Sequence, residues 1–187
     1  LHVYDFGLRA PDGLWDAMPH AQLRELFESA VAAVWDRRAE SDDLGALVLQ
    51  AHLDWRQVLV LRAITKYVRQ TQSTFSEPYL HAALVHNRAI AADLVALFAA
   101  RFDPDHVGDR DAAQQEILDR IAAALDEVSS LDEDRIIRAC RGVIMAGLRT
   151  NHYQVDAEGA PKSYFSLKLD PTKVPDLPAP RPAYEIW

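Results

Sequence analysis

The chain has 187 residues, 49% of them hydrophobic, a formal net charge of −8 and one cysteine, Cys140. That apolar content supports a real core and excludes a disordered chain, the acidic balance argues against nucleic acid or anionic lipid as partners, and a lone thiol excludes an internal disulfide and suits a reducing cytoplasm. No apolar run reaches the roughly 20 residues of a bilayer span, since Ala89 to Ala100 is interrupted by Asp93.

Leu1 carries no initiator Met before it, and the residues after it lack the charged-then-apolar layout of a signal peptide. Leu1 to Leu8 nearly alternates and is followed by Pro11-Asp12-Gly13, which predicts a strand and a turn. From Ala21 to Glu40 the apolar residues Leu23, Leu26, Phe27, Ala30, Val31, Val34 and Trp35 recur at helical spacing. Ser41, Asp42 and Asp43 offer caps for a short helix through Leu44, Leu47, Val48 and Ala51, and Asp54 offers one for the next. That next helix, Trp55 to Gln70, is apolar around most of its circumference and is expected at the centre of the bundle.

Ser76-Glu77-Pro78 combines a capping hydroxyl, an acid in the first turn and a proline where no donor is needed. The helix that starts there is expected to bend around Asn87, then continue through Ile90, Leu94, Leu97 and Phe98 to Asp103-Pro104. Two more helices are predicted, over Asp109 to Val128 and after a capping box at Ser130 to Glu133. Thr150 to Val155 and Tyr164 to Leu169 are expected to pair as a hairpin across a polar, glycine-containing loop. The closely spaced prolines from Asp170 to Pro182 predict an extended connector with no helix or inner strand. Tyr184 to Trp187 restarts an apolar strand, whose partners are expected beyond Trp187 as if the chain were a piece of something larger. The fold class that follows is mainly α, a helical bundle-like domain with short β-strands or a hairpin at its N- and C-terminal ends, α+β overall.

Chemical motifs are sparse. No Gly-x-Gly occurs, and Gly142 to Gly147 has phosphate-loop spacing but is followed by Leu148-Arg149 and sits within a predicted helix, so close packing is the better explanation. His81 and His86 stand five apart, too far round a helix to share a metal, and read as half-exposed helix histidines. His152 reads as a polar residue at the hairpin edge, with a ligand contact as the other possibility. Cys140 shares a face with Ile136, Val143 and Ile144 and reads as a small hydrophobe rather than a nucleophile. Arg62, Lys66 and Arg69 line one helix face and read as an ion-paired or solvated stripe, or else as a docking face for an anion or acidic partner. Asp132, Glu133 and Asp134 sit in a first helical turn, where the dipole favours them without any catalytic role.

The residues Trp55-Arg56-Gln57-Val58, Leu61-Arg62-Ala63, Lys66 to Gln70 and Ala99 to Pro104 occur in an order that resembles the large bacterial NAD-specific glutamate dehydrogenases. In the tail, Leu148 to Asn151, Lys168-Leu169-Asp170-Pro171, Val174 to Pro178 and Pro182 to Ile186 resemble the approach to that family's catalytic region. The resemblance is most specific in this tail and least specific from Asp105 to Asp132, and Leu167 stands where an aromatic would be more usual.

This resemblance implies that residues 1–13 are the trailing strand of a preceding ACT-like module, 14–149 a helical connector domain, and 150–187 the start of the substrate domain. It implies a parent reaction in which L-glutamate, NAD and water give 2-oxoglutarate, ammonia and NADH. The family's glycine-rich, lysine-bearing motifs are expected after Trp187, so no catalytic, cofactor-binding or metal residue is assigned here, and NAD is expected in the parent protein but not in this segment. The expected role is scaffolding or oligomerising, in the cytoplasm, with the flanking domains and further copies of the chain as partners. The alternative is a free-standing helical interaction module that grips a partner helix through the Arg62, Lys66, Arg69 face or an exposed apolar groove.

Overall fold

A computed structural model describes residues 18–71 and 73–187, so the strand expected at Leu1 to Leu8 lies outside the described residues. Seven helices are described: α1 (His20–Trp35), α2 (Leu47–Gln50), α3 (Trp55–Gln70), α4 (Glu77–His86), α5 (Arg88–Phe102), α6 (Arg110–Leu125) and α7 (Leu131–Ala146). A three-stranded antiparallel sheet follows, β1 (Gly147–Thr150), β2 (Leu167–Leu169) and β3 (Glu185–Ile186), in the order β1-β2-β3. The fold is therefore mainly α with a small sheet at its C-terminal end.

The starts of α3, α4, α6 and α7 are set by side chains that accept otherwise orphaned backbone donors. Asp54 accepts from the amides of Arg56 and Gln57 at 2.8 Å each, and Gln57 accepts from the Asp54 amide at 2.9 Å, a complete capping box for α3. Ser76, Asp109 and Ser130 cap α4, α6 and α7, and Asp42 caps a 3-10 turn at Asp43–Ala46 that runs into α2. Helix α1 stops at Trp35, five residues short of the predicted Glu40. Asp36 takes φ −78° and ψ 3° as its cap, and the chain then turns through Arg37 at φ 59°.

The bend expected at Asn87 is sharp, with α4 and α5 meeting at 98°. Asn87 holds it from inside: its amide donates to the Ala83 carbonyl and to Glu133 on α7, both at 2.8 Å. Among the described residues no single helix is long and apolar enough to cross a membrane.

One hydrophobic cluster runs from Leu44 to Val174 and takes in α3, α4, α5, α6, α7 and both inward residues of β2, Leu167 and Leu169. Nine of the sixteen residues of α3 are buried, which places it at the centre as its sequence predicts. At 0–1% exposure Leu61, Ile64 and Tyr67 each contribute roughly 1.5–3 kcal/mol by leaving water.

The sheet differs from the predicted hairpin in register. β1 begins at Gly147, three residues before the expected Thr150, and pairs Gly147 with Leu169 and Thr150 with Leu167, with an irregularity between Gly147 and Arg149. Beyond Thr150 the two arms stay loosely paired, through the Asn151 amide to the Ser166 carbonyl at 3.3 Å and an isolated bridge between Val155 and Pro161, while the Asn151 side chain donates from Nδ2 to the Tyr164 carbonyl at 2.9 Å and accepts from the Ser166 amide at 2.7 Å. β3 also corrects an expectation: it finds a partner inside the chain, with Leu167 and Trp187 exchanging backbone hydrogen bonds at 2.8 and 3.0 Å. The proline-spaced connector is not wholly extended either, because Asp170 caps a 3-10 turn at Pro171–Lys173. Proline is tolerated in a first turn, where no amide donor is required.

The glycines at phosphate-loop spacing are explained by packing. A Cβ on Gly142 would run into the ring of Pro175, and one on Gly147 would lie 2.7 Å from Phe102 Cζ and 3.0 Å from the Ile144 carbonyl. Gly147 has φ −64°, open to any residue, so its need for glycine is steric rather than conformational. Gly147→Ala is expected to cost about 1–3 kcal/mol in urea unfolding, and combining it with Phe102→Leu is expected to give a smaller cost than the two changes summed.

Candidate functional site

The chemistry-bearing side chains collect where the helices meet the sheet. From α3, the Tyr67 hydroxyl donates to the Glu185 carboxylate at 2.9 Å, and Gln70 accepts from Trp187 Nε1 at 2.7 Å, so one helix holds β3 at two points. The Tyr67 and Trp187 rings meet edge to face at 6.0 Å. At the other end of α3, Arg56 donates to the carbonyl of His152 in the loop after β1. From α5, Arg101 donates twice to the Gly147 carbonyl, at 3.0 and 2.8 Å, and once to Gln114 of α6 at 3.0 Å.

Phe98 of α5 anchors the aromatic part of this junction. Its ring centroid lies 5.5 Å from His152, 6.3 Å from Tyr153 and 6.1 Å from Phe165. Burial, helped by the Arg56 charge and opposed by Asp54 and Asp103, lowers the His152 imidazole from its ordinary 6.5 to about 4. Burial pushes the Tyr153 hydroxyl up to about 12, and burial together with Glu185 raises that of Tyr67. All three are thus neutral at pH 7, suited to packing and hydrogen bonding rather than to proton transfer.

The residues singled out in the sequence are placed separately. Arg62, Lys66 and Arg69 each have an internal carboxylate: Arg62 with Asp42, Lys66 with Glu40, and Arg69 with Glu77 at 2.8 Å. The face is an ion-paired stripe, and its innermost member is buried, Arg62 being 5% exposed with a second hydrogen bond to Asp42 at 2.8 Å. Burial opposes ionisation of Asp42, but the Arg62 hydrogen bonds and charge outweigh it and hold the carboxyl below its ordinary value.

His81 is buried rather than half-exposed, because the neighbouring 3-10 turn packs on α4; its Nε2 lies 4.0 Å from Glu77 and has no hydrogen-bond partner among the described residues. His86 is exposed and pairs with Glu133 at 3.0 Å. That hydrogen bond, with a second from Asn87, holds the Glu133 carboxyl low despite partial burial, so the acid at the start of α7 tethers the α4–α5 corner. Cys140 is fully buried and its thiol is pushed up to about 12, consistent with a core residue.

The junction residues Tyr67, Gln70, Glu185 and Asn151 lie in the stretches that carry the family resemblance and Trp187 in the predicted last strand, but no motif marks them as contacts of one another. One signal was present: a tyrosine on the apolar face of a central helix needs a partner for its hydroxyl.

Comparison with known proteins places this arrangement in a class. A family model described as "Glutamate dehydrogenase, helical motif 3" matches residues 39–104, and one described as "Bacterial NAD-glutamate dehydrogenase, catalytic domain" matches residues 120–187. The chain belongs to the large bacterial NAD-specific glutamate dehydrogenase family. It is 40% identical over 188 residues to the NAD-specific glutamate dehydrogenase of Pseudomonas aeruginosa, covering 99% of this chain and 12% of that protein. The enzyme of the same name from Halomonas elongata is 38% identical over 99% of this chain and 11% of its own length. That from Mycobacterium tuberculosis is 40% identical over 97% of this chain and 12% of its own. The chain therefore spans only about 12% of the length of these curated relatives.

Two outcomes test this account of the junction. Asp42→Asn, which leaves the Arg62 guanidinium buried without a carboxylate, is expected to cost about 3 kcal/mol, whereas Lys66→Ala costs less than about 1 kcal/mol, as read by urea midpoints. An imidazole whose folded pKa lies below its unfolded one binds fewer protons when folded, so its contribution is complete above pH 6.5 and is lost as pH falls toward 4. Stability is expected to drop by about 1–3 kcal/mol across that window, and His152→Phe, which keeps a ring in the aromatic cluster, is expected to flatten the slope in parallel urea titrations.

Proposed function

We propose that this chain is part of an NAD-dependent glutamate dehydrogenase, an oxidoreductase that converts L-glutamate, NAD and water to 2-oxoglutarate, ammonia and NADH, and that it serves there as a scaffold rather than as the reacting centre. The names of the relatives support the reaction and the cofactor. The observation that carries the scaffold role is the double hold of α3 on β3, through Tyr67–Glu185 and Gln70–Trp187. It joins the region matched as a helical motif to the region matched as a catalytic domain, and the two share one hydrophobic cluster. A rigid link of this kind fixes where the substrate-binding part of an enzyme stands, which is the contribution a protein makes around a cofactor that supplies the hydride chemistry.

In this reading residues 14–149 connect an ACT-like module, ending near residue 13, to a substrate domain that opens at 150. The protein is cytoplasmic, and its partners are the flanking domains of the same polypeptide and further copies of itself. The 187-residue chain, assayed for glutamate-dependent NADH formation at 340 nm, is expected to show none above background. Turnover by the chain alone would contradict the scaffold role, and a reading frame that stopped at Trp187 instead of continuing into a glycine-rich, lysine-bearing stretch would contradict the parent assignment.

A further inference from the structure

A cleft of about 170 Å³ opens between the first turns of α3 and the loop that joins β1 to β2. Its apolar walls come from Trp55, Tyr164 and Phe165, and its charge from Arg38, Arg56 and Lys162; none of its described lining residues is Asp or Glu. In a chain of net charge −8 this is a local reversal of sign. Two of the cations meet one ring, the Arg38 and Arg56 guanidinium carbons lying 5.2 and 6.0 Å from the Trp55 centroid.

Their internal neutralisation is incomplete. Arg38 has only an exposed pair with Asp36 at 3.2 Å. Among the described residues Arg56 and Lys162 have no ion pair, Arg56 donating to the His152 carbonyl instead. The acid nearest Arg56 in sequence, Asp54, lines a neighbouring hollow and is engaged by the amides of Arg56 and Gln57.

Three like charges gathered on an apolar wall repel one another, and an anion placed among them relieves that repulsion. The volume is close to that of a cavity known to hold benzene and below the range of drug-sized ligands, so a nucleotide is too large. We propose that this cleft binds a small organic carboxylate, of one ring or a short chain, with its charge toward Arg56 and Lys162 and its apolar part against Trp55 and Phe165. The proposal is independent of the dehydrogenase reading.

Benzoate is the probe, titrated into the 187-residue chain at constant ionic strength while amide and indole proton–nitrogen shifts are followed by NMR. Saturable shifts are expected at the Trp55 indole and the backbone of Asn151 and Lys162. Benzamide, of the same shape but uncharged, is expected to bind about tenfold more weakly. Lys162→Ala, an exposed change that leaves the core untouched, is expected to weaken benzoate about tenfold, and Arg56→Gln to do the same. Absence of saturable shifts, equal affinity for benzamide, or unchanged affinity in Lys162→Ala would overturn the proposal.

Discussion

A helix buried on most of its sides cannot leave its polar groups unpaired, and α3 carries several. Thr65 is satisfied within the helix, and the others reach different parts of the chain. Arg62 takes Asp42 from the turn after α1, Thr65 returns to the Arg62 carbonyl at 3.0 Å, and Tyr67 takes Glu185 from β3. Arg56 takes the His152 carbonyl from the loop after β1. The apolar residues of α3 supply most of its stabilisation, but these polar contacts decide which segments may pack on it and in what register. Removing one partner leaves a desolvated group behind, so the arrangement is specific as well as stable.

The same constraint makes the sheet dependent on the helices. Three strands of four, three and two residues are too short to stand alone. β1 continues directly from α7 and is held through its Gly147 carbonyl by Arg101 of α5, β2 turns Leu167 and Leu169 into the common core, and β3 is held by Tyr67 and Gln70. The region matched as a helical motif and the region matched as a catalytic domain are thus joined by a shared interior rather than by a flexible tether. Any displacement of the sheet has to break hydrogen bonds to α3 or α5.

Much of the helical framework was legible in the sequence because its signals are local. The Asp54 and Ser76 caps, the bend at Asn87 and the all-round apolar character of α3 each depend on a few neighbouring residues, and the structure has them where the pattern puts them. The order of residues in the tail also sufficed to indicate the family. The register of the sheet was not legible, because it is fixed by Gly147 packing on Phe102 and by the Asn151 side chain bracing Tyr164 and Ser166 of the facing arm. Nor was the pairing of β3 with β2, which is supported by a side-chain bond across 118 residues between Tyr67 and Glu185. His81 was misread as half-exposed because its own helix gives no sign of the 3-10 turn that covers it, whereas the paired character of Arg62, Lys66 and Arg69 was foreseen from the acidic composition, though the particular carboxylates were not.

The central claim is that helices and sheet form one cooperative body organised by α3. Native-state hydrogen exchange in low urea tests it most directly, by comparing the amides of Leu167 and Asp170, bonded to Trp187 and Ala146, with those in the middle of α3. The account predicts that they merge into a single opening with one free energy and one denaturant slope. Sheet amides that exchange through a separate, low-energy opening while α3 stays protected would contradict it.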